Sequence, residues 1–158
     1  MDEDRGSDED RGPDQDHGSD AGPGWEHALA YAADAHAGQT RKGEPFLLHP
    51  LRVLLRVGTD AERTVAALHD VVENTARTWD DLRAAGFGDD VIAACDALTR
   101  RDGEDYFAYC RRAAADPLAR RVKLADLDDN IEQERRLEEQ GRATGKLEQY
   151  LRARELIG

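Results

Sequence analysis

No apolar run in this chain of 158 residues approaches the roughly 18 residues that a membrane-spanning helix needs. The N-terminus is acidic where a secretory leader would be basic and then apolar, so no such leader is read here. Only two cysteines occur, Cys95 and Cys110, at no metal-type spacing, and they read as buried, reduced thiols rather than a disulfide or a zinc clip. Basic residues number 22 against 34 acids and form no stripe, and with a formal net charge of -12 this argues against duplex nucleic acid as a partner. Sustained period-two alternation is missing as well, which leaves no half-buried strand and points to an all-α class. Together these absences predict a soluble cytoplasmic protein with no membrane partner. Its length suits one domain with a proper core, and nothing in the composition sets an oligomeric state.

Residues 1–24 lack any aliphatic residue larger than alanine after Met1, and they hold nine acids against Arg5 and Arg11. Asp-Glu-Asp-Arg-Gly at 2–6 is nearly repeated as Glu-Asp-Arg-Gly at 9–12. Such a segment cannot offset its ordering entropy by burial, so it reads as a disordered acidic tail in which His17 is silent. The domain is placed at 25–158.

From Trp25 onward the pattern is helical. Trp25, Leu29, Ala32, Ala33 and His36 mark one face of a first helix that Gly38 ends. A polar loop, Gln39 to Glu44, precedes a second helix whose first turn holds Pro50, with His49 held out of the α region by that proline. Ala61, Val65, Leu68 and Val72 give the stripe of a third helix. Thr78 with Asp81 forms a capping box, Asp89 or Asp90 caps a helix burying Val91, Ala94, Cys95 and Leu98, and another helix runs from about Glu104 to Ala115. Asp116-Pro117 is a cap followed by a first-turn proline, starting a helix that buries Leu118, Val122 and Ala125. A last helix, about Thr144 to Ile157, carries Leu147, Tyr150, Leu151 and Ile157.

The most informative stretch is Leu68-His69-Asp70-Val71-Val72-Glu73-Asn74-Thr75, which sets a histidine, two carboxylates and a carboxamide in an apolar segment. On a helix His69 and Asp70 can grip one ion, with Glu73 projecting from the same end and Asn74 one turn beyond Asp70. Burying these groups is costly unless they satisfy one another or hold a cation. Asp126, one turn after Val122 and one turn before Asn130, also falls toward the core. With His49, His69 and Asp70 it makes two imidazoles and two carboxylates, a set suited to Mn²⁺, Fe²⁺ or Zn²⁺. An ion so held can lower the pKa of water and polarise a phosphoryl oxygen, as phosphoester hydrolysis requires. The plainer readings are a capping His49, a core or surface His69 and an Asp126 paired with Lys123 or Arg121; His36 reads as packing or as a support behind the ligands rather than a ligand itself.

Three ordered blocks carry a resemblance: Ala35 to Pro50, including Gln39-Thr40-Arg41-Lys42-Gly43; Ala66 to Thr75; and Val122-Lys123-Leu124-Ala125-Asp126 followed by Asn130. Over roughly residues 25–131 the chain resembles HD-domain phosphohydrolases, specifically the (p)ppGpp hydrolase domain of Rel/Spo-type stringent-response enzymes and their small stand-alone relatives. The resemblance implies an all-α fold with one Mn²⁺, another divalent ion being an option, held by His49, His69, Asp70 and Asp126. It implies that Glu73, beside Asn74, orients or deprotonates the attacking water. Arg41 and Lys42 would lie against the nucleotide, and Asn130 would line the same pocket. The implied reaction removes the 3′-pyrophosphate of a guanosine alarmone; related small enzymes take other phosphorylated nucleotides, including NADPH.

Two departures bear on that reading. The family's usual Glu-Asp pair is Glu73-Asn74, which removes a charge and a proton acceptor. The helix continues Leu127-Asp128-Asp129-Asn130-Ile131-Glu132, acidic where the alarmone hydrolases carry Arg and His, which predicts a smaller or less charged substrate. The alternatives are therefore an HD phosphatase for another phosphoester and a catalytically weak metal- or nucleotide-binding module.

Overall fold

The computed structural model describes residues 22–158; most of the acidic tail, His17 included, lies outside the described residues. The elements run α1 (Trp25–Ala35), β1 (Thr40–Arg41), β2 (Glu44–Pro45), α2 (Leu48–Leu55), α3 (Asp60–Leu68), α4 (Val71–Asn74), α5 (Trp79–Ala84), α6 (Asp89–Ala97), α7 (Tyr106–Ala114), α8 (Pro117–Glu139) and α9 (Leu147–Ile157). The class is all-α, with one two-residue hairpin as its sheet among the described residues. No helix among them is long and apolar enough to cross a membrane.

Two helices organise the rest. α3 packs against α1, α2, α6 and α8, and α8 packs against α2, α3, α6, α7 and α9. The reason lies in their side chains: Val65, Ala66, Ala67 and Leu68 are buried in succession on α3, and Ala119, Val122, Ala125 and Leu127 on α8. Alanines at 66, 67 and 119 let neighbouring backbones approach, while each fully buried leucine contributes about 1.5–3 kcal/mol over its exposed state. The α8 start is as the sequence predicts. Asp116 accepts from the amides of Leu118 and Ala119, both at 2.9 Å, and Pro117 occupies the first turn. The Thr78–Asp81 capping box is present, and a second, Thr59 with Glu62, opens α3.

Three local differences from the sequence reading concern the site. The loop at 39–44 folds as a hairpin with Arg41 opposite Glu44. Lys42 (φ 53°) and Gly43 (φ 79°) both take positive φ, the type I′ turn whose twist suits adjacent strands. His49 is helical, not extended: α2 starts at Leu48, and Pro50 sits within its first turn, where its missing N–H would have no helical acceptor. Finally, the third helix is not continuous. His69 caps α3 at φ -60°, ψ -26°, and Asp70 falls at φ -102°, ψ -1° before α4 begins. His69 Nδ1 lies 2.6 Å from the Ala66 carbonyl, satisfying an acceptor that the broken helix leaves open.

Candidate metal centre

Four side chains from three parts of the chain converge. α2 brings His49, the α3–α4 break brings His69 and Asp70, and α8 brings Asp126. His49 Nε2 lies 2.8 Å from Asp126 Oδ1 and 3.6 Å from Asp70 Oδ2. His69 Nε2 lies 3.2 Å from Asp70 Oδ2 and 3.4 Å from Asp126 Oδ1. Ligand atoms of His49, His69 and Asp126 all fall within 4.8 Å of one another, and all three residues are buried.

The tautomers follow from the partners behind the rings. His49 Nδ1 meets Asp129 Oδ2 at 2.8 Å, and His69 Nδ1 meets the Ala66 carbonyl at 2.6 Å. A carbonyl and an ionised carboxylate only accept, so Nδ1 is the donor in both rings. When neutral, each imidazole turns a lone pair at Nε2 toward the oxygens of Asp70 and Asp126. His69 Nε2 is buried without a hydrogen-bond partner. Facing lone pairs repel unless a proton or a cation lies among them, and two imidazoles with two carboxylates suit a divalent ion of the Mn²⁺ to Zn²⁺ type. The electrostatics agree. Burial opposes charge on Asp126, yet Lys123 and the two imidazoles hold its carboxyl well below the usual range. Burial likewise opposes charge on Asp70, and a proton on His69 overrides it; Asp70 and Asp126 in turn hold the His69 ring well above the usual imidazole range, so without an ion a proton takes the place a cation would fill.

Asp129, on α8, is fully buried and takes Arg52 Nε at 2.7 Å as well as His49, so a carboxylate orients the ring from the side opposite Nε2. Its carboxyl is held below the ordinary range, burial opposing and the hydrogen bonds of His49 and Arg52 prevailing. From the sequence alone Asp129 belongs to an acidic run near the pocket. It faces away, as do its neighbours: Asp128 pairs with Arg154 at 2.9 Å, and Glu132 pairs with Arg56 and with Arg136. The spacing Asp126–Asp129 (i, i+3) was the available signal.

A cavity of about 300 Å³ opens beside the four residues. Glu73 and Asn74 line it, as do Arg41, Asn130, Lys123, Arg100, Lys146 and the rings of Tyr106, Tyr109 and Tyr150. The bases on this wall outnumber the acids Asp70, Glu73 and Asp126, so the cavity suits an anionic ligand. Arg41 Nη2 donates to Asn130 Oδ1 at 2.7 Å, and Asn130 Nδ2 faces Asp126 Oδ1 at 3.4 Å, which fixes the amide's orientation. Lys42 takes no part in this wall. The turn aims its ammonium at Glu134 Oε1, 3.1 Å away, and over the Tyr150 ring at 5.3 Å. Asn74 Nδ2 donates to the Asp70 carbonyl at 3.2 Å, and Gln39 Nε2 donates to the Asn74 carbonyl at 2.8 Å. Glu73 is reached by solvent, yet partial burial and the nearby Asp70 charge raise its carboxyl above the ordinary value. Lys123, Arg100, Lys146 and the tyrosines were not singled out in the sequence as site residues; the i, i+4 pair Lys146–Tyr150 and the Lys123–Asp126 spacing were their only trace.

Among curated proteins, the chain is 33% identical over 119 residues to a guanosine-3′,5′-bis(diphosphate) 3′-pyrophosphohydrolase of Aquifex aeolicus, covering 67% of this chain and 17% of that one. It is 38% identical over 120 residues to a GTP pyrophosphokinase of Streptomyces coelicolor, covering 67% and 14%. It thus spans about a sixth of the length of these relatives. A solved structure, described as a metazoan ortholog of SpoT that hydrolyses ppGpp, superposes with a TM-score of 0.66 at 25% identity, covering 84% of this chain and 82% of that one. Residues 28–137, which contain His49, His69, Asp70 and Asp126, match the family described as HD domain, and this chain belongs to that family.

Proposed function

We propose that this chain is a Mn²⁺-dependent nucleotide phosphohydrolase that removes the 3′-pyrophosphate of (p)ppGpp. The observation that carries the reading is the pair of imidazoles whose Nδ1 atoms both lie against acceptors behind them, at 2.8 and 2.6 Å, while both Nε2 atoms face two carboxylates. The names of the Aquifex relative and of the SpoT ortholog support the substrate.

His49, His69, Asp70 and Asp126 would hold the ion. Bound there, it supplies a water of lowered pKa and polarises a phosphoryl oxygen. Glu73 takes a proton from the attacking water; its raised carboxyl pKa brings it nearer to the working pH of a general base. The water oxygen bonds to the phosphorus attached to the 3′ oxygen, that P–O bond breaks, and the 3′ oxygen leaves as a hydroxyl, taking a proton from solvent while Glu73 returns to solvent the one it took. Arg41, with Asn130 holding its guanidinium, binds the anionic substrate and fixes its approach. Lys42 pairs with Glu134 away from this wall and is left out of substrate binding.

A second reading, hydrolysis of another phosphorylated nucleotide such as NADPH, is favoured by Asn74, where the family's second carboxylate is replaced by an amide committed to Asp70. Incubation of the purified chain with Mn²⁺ and ppGpp, with products resolved by anion exchange, tests the lead. GDP and pyrophosphate in equal amounts are expected. Intact ppGpp, with orthophosphate released from NADPH, would move the assignment to the second reading.

A further inference from the structure

The two carboxylate oxygens of Asp126 have different neighbours. Oδ1 faces His49 Nε2 at 2.8 Å and His69 Nε2 at 3.4 Å, while Oδ2 takes Lys123 Nζ at 2.9 Å. Lys123 is only 5% exposed, and its ammonium lies 4.8 Å from the Tyr109 ring centroid and 5.7 Å from that of Tyr106. Lysine is seldom buried so fully, and two aromatic faces with one carboxylate are what keep a charged ammonium stable there. Its position one turn before Asp126 on α8 means that the same helix delivers the carboxylate and the cation that occupies half of it. Lys123 also lines the cavity.

We propose that Lys123 is a positioning residue that reserves Oδ2 of Asp126, so that this aspartate offers the metal one oxygen only and the ion keeps a place open for water and phosphate. The same ammonium adds fixed positive charge to the cavity wall on which the substrate's phosphates rest. The proposal rests on the metal-dependent reading given above. It makes an unusual demand on a buried ion pair. Removing a partner that orients a ligand ordinarily weakens metal binding about 10–100-fold. Removing Lys123 instead frees a second oxygen and deletes a like charge beside the ion, and both changes tighten binding. Turnover falls at the same time, because the open position and the fixed charge toward the phosphates are lost.

The test uses the full chain stripped with a chelator, titrated calorimetrically with Mn²⁺ alone, and then assayed for pyrophosphate release. Lys123→Met, close to lysine in volume, is expected to bind Mn²⁺ about tenfold more tightly while kcat falls by about 10²–10³. Lys123→Gln, which keeps an N–H for Oδ2 and drops the charge, is expected to fall between wild type and Lys123→Met in affinity, and it carries the test if the methionine variant does not fold. Unchanged or weaker Mn²⁺ binding in these variants overturns the proposal and leaves Lys123 a purely structural partner. A wild-type chain that binds no Mn²⁺ overturns the metal reading itself.

Discussion

His49 and Asp129 stand eighty residues apart in the chain, and the ring Nδ1 of the first donates to the carboxylate of the second at 2.8 Å. That bond, with Arg52 Nε on the other oxygen at 2.7 Å, fixes which nitrogen of His49 faces the site. Asp129→Ala removes the acceptor of the buried His49 ring and of the half-buried Arg52. We expect it to weaken Mn²⁺ binding about 10–100-fold, and breaking the buried pair to cost about 3–5 kcal/mol in urea unfolding. Asp129→Asn, which keeps an acceptor oxygen, should lose less on both counts. Equal Mn²⁺ affinity in Asp129→Ala and wild type would refute the orienting role.

Arg41 and Lys42 adjoin in sequence and separate in space. Arg41→Ala should raise KM for a phosphorylated nucleotide with little change in stability, since its guanidinium lies on the cavity wall. Lys42→Ala should act the other way. It leaves the fully buried Glu134 without its 3.1 Å ammonium and is expected to cost about 1–3 kcal/mol in denaturant unfolding. Matched effects of the two variants on KM would place Lys42 in the cavity after all.

Asn74→Asp restores the carboxylate pair typical of the family's alarmone hydrolases. The amide that donates to the Asp70 carbonyl at 3.2 Å is lost, so the new carboxylate turns from that oxygen toward the cavity. If a second proton acceptor limits hydrolysis of ppGpp, kcat should rise about 10²-fold. An unchanged rate would show that Glu73 alone suffices.

The pair Glu104–Arg112, outside the cavity lining, should make the fold sensitive to acid. Hydrogen bonds from Arg112, and from the Arg101 amide, hold Glu104 at about 2, below the roughly 4.3 of a free glutamate. A depressed carboxyl pKa contributes stability that is present above the unfolded value and is lost as pH falls through the folded one. Stability should therefore decline between about pH 4.5 and pH 2, and Glu104→Gln should flatten that part of the curve while lowering stability at pH 7. An acid limb identical in the variant would assign the loss to other carboxylates.

Much of this was legible from residues alone where the cause is local. Asp116-Pro117 and the Thr78–Asp81 pair act within one turn, so their caps could be read directly. His49, His69, Asp70 and Asp126 stood out because polar groups on apolar faces demand partners, and the fold does bring them together. Effects that depend on distant segments were hidden. Asp129 and Asp128 differ by one position on α8, yet one is sealed against α2 by His49 and Arg52, and the other reaches Arg154 on α9. Only the arrival of those helices decides which acid is inside. The break at His69-Asp70 was hidden too, because the apolar stripe of Val65, Leu68 and Val72 continues across it.

Calorimetric titration of Mn²⁺ into the chelator-stripped chain and into its His69→Ala variant bears most directly on the central claim. The geometry around His69, whose Nδ1 is tied to Ala66 and whose Nε2 is left facing Asp70 and Asp126, predicts one ion per wild-type chain and none in the variant. A His69→Ala chain that binds Mn²⁺ with wild-type stoichiometry and affinity would contradict it.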